Sequence, residues 1–225
     1  MKTAAAPQFD LVLRKLKHFG LLLESDSRLP SVATLITGEP LRGSWWAHPL
    51  AQTIFRVNEQ LAKNRDVLTT KLISGKVTFV HRKLWSDVLA LAESREAWQT
   101  DALSSGARRL LRLVDQQEFL RTDKLTWPRA AKSQPGEEAR ELEKRLLVHT
   151  EEFHTESGAH AKLIETWERW AKRTGFTEPR VLPVDAKRKL AEKLRTLNEE
   201  FGTRARFPWS SHDKAQVTSD FKFEI

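Results

Sequence analysis

Two stretches of this 225-residue chain decide its fold: residues 103–128, LSSGARRLLRLVDQQEFLRTDKLTWP, and residues 140–170, RELEKRLLVHTEEFHTESGAHAKLIETWERW. In the first, Ser104 is a suitable N-cap, and Ala107, Leu110, Leu111 and Val114 recur at helical spacing. Arg108, Arg109 and Arg112 lie off that stripe. Asp123 is placed to cap a short second helix, and Pro128, Pro135 and Gly136 mark a loop. A third helix is predicted from about Glu137 to Leu147, burying Ala139, Leu142 and Leu146. After it, LLVHTEEFHT and AHAKLIETW read as two strands about a Ser157-Gly158 turn. Short apolar runs do not separate helix from strand, so a continuous helix over ELEKRLLVHTEEFH is the alternative. Thr150, Thr155 and Gly158 favour the hairpin.

Helix, short helix, helix and hairpin, in that order, form a winged helix-turn-helix. Upstream, Phe9, Val12, Leu13, Leu16, Phe19 and Leu23 suggest a helix over residues 9–23, with Gly20 weakening its later part. Residues 27–43 contain Pro30, Gly38, Pro40 and Gly43 and read as loop around the apolar patch 32–36. Pro49 is suited to open a helix carrying Leu50, Ile54, Val57 and Leu61. Two β-rich runs about Ser74-Gly75 form a hairpin over 67–82, followed by a helix from about Leu84 to Glu93. The segment SREAWQTDA (residues 94–102) reads as a joint. Near the end, Asp185 is expected to cap a helix with Leu190, Leu194, Leu197 and Phe201 on one face, stopped by Gly202. The fold expected is α+β, mainly helical: residues 1–100 a helical region with the hairpin, 101–175 the winged helix, 176–225 a basic helix and tail.

Composition narrows the function. With no cysteine, disulfides, thiolate metal sites and a cysteine nucleophile are excluded. Arg14, Lys15, Lys17 and His18 interrupt the N-terminal apolar residues, which argues against a signal peptide, and no run reaches the roughly 18 apolar residues of a membrane span. A cytoplasmic protein is expected, a monomer or small homo-oligomer without membrane contact. A net charge of +8 and a pI near 9.8 favour polyanionic partners. Neither a nucleophile elbow nor a phosphate-binding glycine loop is present.

The order of segments also resembles the short relatives of the AlkZ/YcaQ winged-helix DNA glycosylases. SWWAHP, KLISGKVTFVHRKLWSDVLALA, LSSGARRLLRLVDQQEFLRTDKL and LEKRLLVHTEEFHTESGAHAKLIETW carry the resemblance, over roughly residues 40–170. It implies duplex DNA binding, and with it DNA repair. The full-length glycosylases position their attacking water with a Gln-x-Gln or Gln-x-Asp motif. This chain lacks one, its nearest glutamines being the adjacent Gln116 and Gln117. No catalytic residue, metal or cofactor is therefore assigned.

In a winged helix the third helix enters the major groove while neighbouring groups hold phosphates. The candidate contacts are Arg140, Lys144 and Arg145 on that helix, with Arg121, Lys124, Arg129 and Lys132 beside it and His154, His160 and Lys162 at the wing. Four glutamates, Glu137, Glu138, Glu141 and Glu143, share the helix and oppose phosphate. The wing's His149, Glu151, Glu152, His154, Glu156 and His160 contain a Glu-x-x-His spacing without a second copy, and read as a polar surface rather than a metal site. Trp45 and Trp46, among basic residues, are candidate base-stacking surfaces, or else seal the core around the hairpin. The rivals to DNA binding are base removal by a glycosylase-like enzyme and a protein-interaction module with an apolar patch over the third helix.

Overall fold

The computed structural model describes residues 5–41, 43–128, 133–156 and 158–211. The chain is α+β and mainly helical, with two small antiparallel sheets. It divides into two compact units, residues 1–88 with 184–207, and residues 89–183 with 208–225.

In the first unit, helix α1 (Ala5–Phe19) buries Val12 and Leu16 completely, with Phe9 and Leu13 packed against the same core. The helix does not continue to Leu23 as its spacing suggested. Gly20 adopts a left-handed φ of 85° and ends it, and Leu21–Leu23 form strand β1. Three consecutive leucines have no period to read. All three are buried here, paired with a later strand. The expected loop of residues 27–43 likewise contains a helix, α2 (Val32–Thr37), because Ser31 caps Thr34 N while the Thr34 hydroxyl returns a contact to Ser31 N. Helix α3 (Ala51–Ala62) starts two residues after Pro49 and buries Ile54, Val57 and Leu61, leaving Leu50 exposed.

The predicted hairpin is present as β2 (Val67–Lys71) and β3 (Val77–His81), in register from Val67↔His81 to Lys71↔Val77. β1 adds to the other edge of β3, giving the order β1–β3–β2. Helix α4 (Trp85–Glu93) follows, its Trp85 indole donating to the Val80 carbonyl at 3.1 Å.

In the second unit the segment expected to be a joint, residues 94–102, contains a short helix. There α5 (Ala97–Thr100) buries Trp98 and Gln99, and the Gln99 amide donates to the Arg145 carbonyl at 3.1 Å. A flexible connection would leave such polar backbone to water; this one uses it internally. Helix α6 (Ser105–Gln117) has Ser104 as its cap and buries Ala107, Leu110, Leu111 and Val114 as the spacing predicts. After β4 (Phe119–Arg121) the expected second helix is only a single 3₁₀ turn, Thr122–Lys124, because Asp123 turns back to grip Arg121 at 2.9 and 3.1 Å instead of capping a helix.

Helix α7 (Pro135–Lys144) and the hairpin β5 (His149–His154) and β6 (His160–Glu165) come next. The hairpin excludes a continuous helix over residues 141–154. β6 pairs with β4 as well, so the sheet order is β4–β6–β5. Leu110, Leu142 and Ile164, all fully buried, bring α6, α7 and β6 into one core. Each such side chain contributes about 2 kcal/mol of hydrophobic stabilisation. Helix α8 (Trp167–Thr174) is capped by Thr166.

The last long helix, α9 (Pro183–Phe201), belongs to the first unit from Val184 onward and buries Ala186, Leu190, Leu194 and Leu197. Asp185 lies inside its first turn, paired with Arg188, rather than at the cap. Gly202, with φ 61°, ends the helix. Trp209 is buried and packs against Trp98 at 5.6 Å between ring centroids. Phe221 and Phe223 of the tail lie outside the described residues. Among the described residues no helix is long and apolar enough to cross a membrane.

Candidate nucleic-acid interface

Helix α7 sorts its charges by side. Glu138 is buried and accepts from the hydroxyls of Ser104, at 2.6 Å, and Ser133. Gly106 makes room for it: a Cβ there would collide with the Glu138 carboxylate. Glu141 accepts from the Ser104 amide at 3.0 Å, and buried Glu143 meets Lys162 at 3.3 Å. Glu137 reaches back to the Gln134 amide, closing a capping box. The four glutamates that seemed to oppose phosphate are thus occupied, three by the rest of the unit and one by the helix's own start. Arg140 and Lys144 face solvent.

The remaining candidates divide. Arg121 is exposed, gripped by Asp123 and stacked over Phe153 at 4.5 Å, and Lys124 beside it is exposed. His154 and His160 are register partners beside the hairpin's turn, exposed, with ring centroids 4.4 Å apart. Arg145 instead donates to the carbonyls of Trp98 and Ala102 at 2.8 and 3.1 Å, tying down the chain around α5. Lys162 is only 6% exposed and lies between Glu143 and Glu152 at 3.3 and 3.0 Å. Arg129, Lys132 and Ser157 lie outside the described residues. None of the exposed large hydrophobic side chains lies on α7.

The acidic and histidine residues of the β5–β6 hairpin do not form a uniformly polar surface. His149 is buried, 5.6 and 5.8 Å from the rings of Trp167 and Trp170, and its Nδ1 is 3.1 Å from Oε1 of fully buried Glu165. Arg173 donates to Glu165 and to Glu151, each at 2.6 Å. Burial pushes the Glu165 carboxyl up, but the hydrogen bonds and charges of His149 and Arg173 outweigh this and hold it below the ordinary range. The same carboxylates raise Arg173. His149, Glu151 and Glu165 bring potential metal-ligand atoms within 4.8 Å of one another. The guanidinium already supplies the positive charge that this carboxylate pair requires, so the cluster is a structural tie between the hairpin and α8.

A family model described as AlkZ related matches residues 8–205. The chain belongs to the AlkZ-related family. The match extends beyond residues 40–170, over which the sequence resemblance was read, and takes in α1 and α9, so both units are part of the AlkZ-related chain. No curated protein and no solved structure matches it.

In the AlkZ-related chain the SWWAHP segment forms a 3₁₀ turn at Trp45–Ala47, capped by Ser44. The two tryptophans stack at 4.1 Å with 23° between ring planes, yet differ in burial: Trp45 is 7% exposed and Trp46 63%. Trp45 seals the core. Trp46 presents a free face, bordered by half-exposed Phe55 at 5.7 Å. Gln116 and Gln117 are exposed at the end of α6.

Proposed function

We propose that the protein binds duplex DNA in DNA repair, mainly through the phosphate backbone. The observation that carries this is the outer face of α7, where Arg140 and Lys144 are exposed while the glutamates are held elsewhere. A winged-helix reading of the second unit draws support from its element order and from the strand order β4–β6–β5, although the second helix of that module is reduced here to one 3₁₀ turn. In this arrangement α7 approaches the groove, and His154, His160, Arg121 and Lys124 line the approach. Lys162 and Arg145 serve as internal struts. The free face of Trp46 offers a stacking surface for an unpaired base. Duplex affinity should fall steeply with salt, and Arg140→Gln with Lys144→Gln should flatten that slope by roughly 1.8. If wild-type protein at micromolar concentration binds no duplex at about 50 mM salt, the reading is wrong.

Membership in the AlkZ-related family favours a second reading, removal of damaged bases. It predicts abasic sites, and hence alkali-sensitive strands, after incubation with alkylated or crosslinked duplex. Strands that stay intact would reject it.

A further inference from the structure

The first unit holds twenty Lys and Arg against eleven Asp and Glu, a net of +9; the second holds eighteen against nineteen, a net of −1. The protein's surplus charge is therefore in the first unit. There, Lys83 and Lys17 meet at the C-terminal end of α1, and Lys193 of α9 is near enough for its charge to act on Lys83. Lys83, in the 3₁₀ turn Arg82–Leu84 after β3, donates from Nζ to the carbonyls of Lys17 at 2.6 Å and His18 at 3.3 Å. Lys17 is in the last turn of α1, and Lys193 is on α9. Burial and then the charges of Lys193 and Lys17 lower Lys83 from its ordinary value. Burial and the charge of Lys83 also lower His81 nearby, against an opposing pull from Asp66.

The open carbonyls and negative dipole end of α1 explain why Lys83 sits there. They do not explain Lys17 and Lys193. Among the described residues neither ammonium meets a carboxylate, while Arg188, Lys189 and Arg195 of α9 pair with Asp185, Asp87 and Glu199 at 2.7, 2.7 and 2.8 Å. Uncompensated like charges raise the energy of the folded state, and a bound anion relieves them. Lys17 and Lys83 are exposed, so the cluster is open enough for a polymer to pass across it.

We propose that Lys17, Lys83 and Lys193 bind phosphates of a DNA backbone, a contact separate from α7. The proposal rests on the DNA-binding reading above. Its test is fluorescence anisotropy with a labelled duplex over a salt series, comparing wild type with Lys17→Gln/Lys193→Gln, Lys17→Arg/Lys193→Arg and Arg140→Gln/Lys144→Gln. Lys83 is left intact because it caps α1. Neutralising two contacts should flatten the salt slope by roughly 1.8 and weaken binding roughly 50-fold at 0.1 M salt. The arginine pair should restore both, and no variant should melt below the wild type, since the glutamine pair removes repelled charge. Wild-type affinity and slope in the glutamine pair overturn the site and leave DNA binding standing, as does failure of the arginine pair to rescue. A wild-type protein that binds no duplex overturns both.

Discussion

Lys162 in the second unit and Lys83 in the first are each held by two oxygen acceptors. For Lys162 these are the carboxylates of Glu143 and Glu152, at 3.3 and 3.0 Å. For Lys83 they are the carbonyls of Lys17 and His18, at 2.6 and 3.3 Å. Carboxylates satisfy the hydrogen bonds and cancel the charge. Carbonyls satisfy the hydrogen bonds and leave the charge in place. The second unit repeats the first pattern with Arg173 on Glu151 and Glu165 and Arg95 on Asp115, so its cations largely hold the unit together. The first unit leaves several cations open to outside anions. Counting basic residues therefore misjudges which region attracts a polyanion; what matters is what each cation already touches.

The largest test of this contrast is in the most interlocked part of the second unit. Glu165→Ala leaves His149 and Arg173 without their shared carboxylate, and removing one member of a buried charged network destabilises by about 4 kcal/mol. Urea unfolding followed by tryptophan fluorescence should show it, because Trp167 and Trp170 flank His149. The pH dependence has a defined sign. Glu165 lies below its ordinary value of 4.5 in the folded chain, so its contribution is complete above that value and is lost as pH falls through the lower folded value. Wild-type stability should drop below about pH 4.5, and Glu165→Gln should flatten that drop. An unchanged acid profile in the glutamine variant would show that Glu165 is not the group responsible.

A smaller effect separates the two lysines directly. Lys162→Met removes the buried cation that Glu143, 7% exposed, meets at 3.3 Å and should cost about 3 kcal/mol; adding Glu143→Leu should recover most of it. Lys83→Met removes a helix cap but also a repelled charge, and should cost about 1 kcal/mol or less. Equal losses from the two substitutions would mean that the nature of the acceptor does not matter, and the contrast would fail.

The sequence made some of this legible. The stripes of α3, α6 and α9 and both hairpins follow from period and turn chemistry, since each has one buried face and a clear boundary residue. Leu21–Leu23 defeated the reading because a short, fully buried edge strand shows no alternation. Helix α2 was hidden among Pro and Gly because its cap pairs Ser31 with Thr34 instead of a glutamate or glutamine. Of the candidate contacts, Arg140 and Lys144 are exposed on α7, as residues off its apolar stripe should be. Lys162 and Arg145 looked equivalent to them, because burial by partners from other elements is a tertiary fact. Lys17, Lys83 and Lys193 were each visible as basic, and 176 residues separate the first from the last; their meeting depends on α9 returning to the first unit.

The smallest effect on duplex binding concerns what holds Lys83 in place. Gly20 has φ 85°, and a Cβ there would lie 2.9 Å from Leu84 Cδ1 and 3.0 Å from Lys83 Cε. Gly20→Ala therefore combines a left-handed penalty of about 1–2 kcal/mol with pressure on the side chain that caps α1. Leu84 is buried and cannot move far, whereas Lys83 is exposed and flexible, so Lys83 should yield first. Melting should fall by a few degrees. The salt slope of duplex binding should fall by up to about 0.9, one phosphate contact, without any charge having been removed. A full-sized slope in a chain destabilised as expected would mean that the position of Lys83, as distinct from its charge, is unimportant for binding.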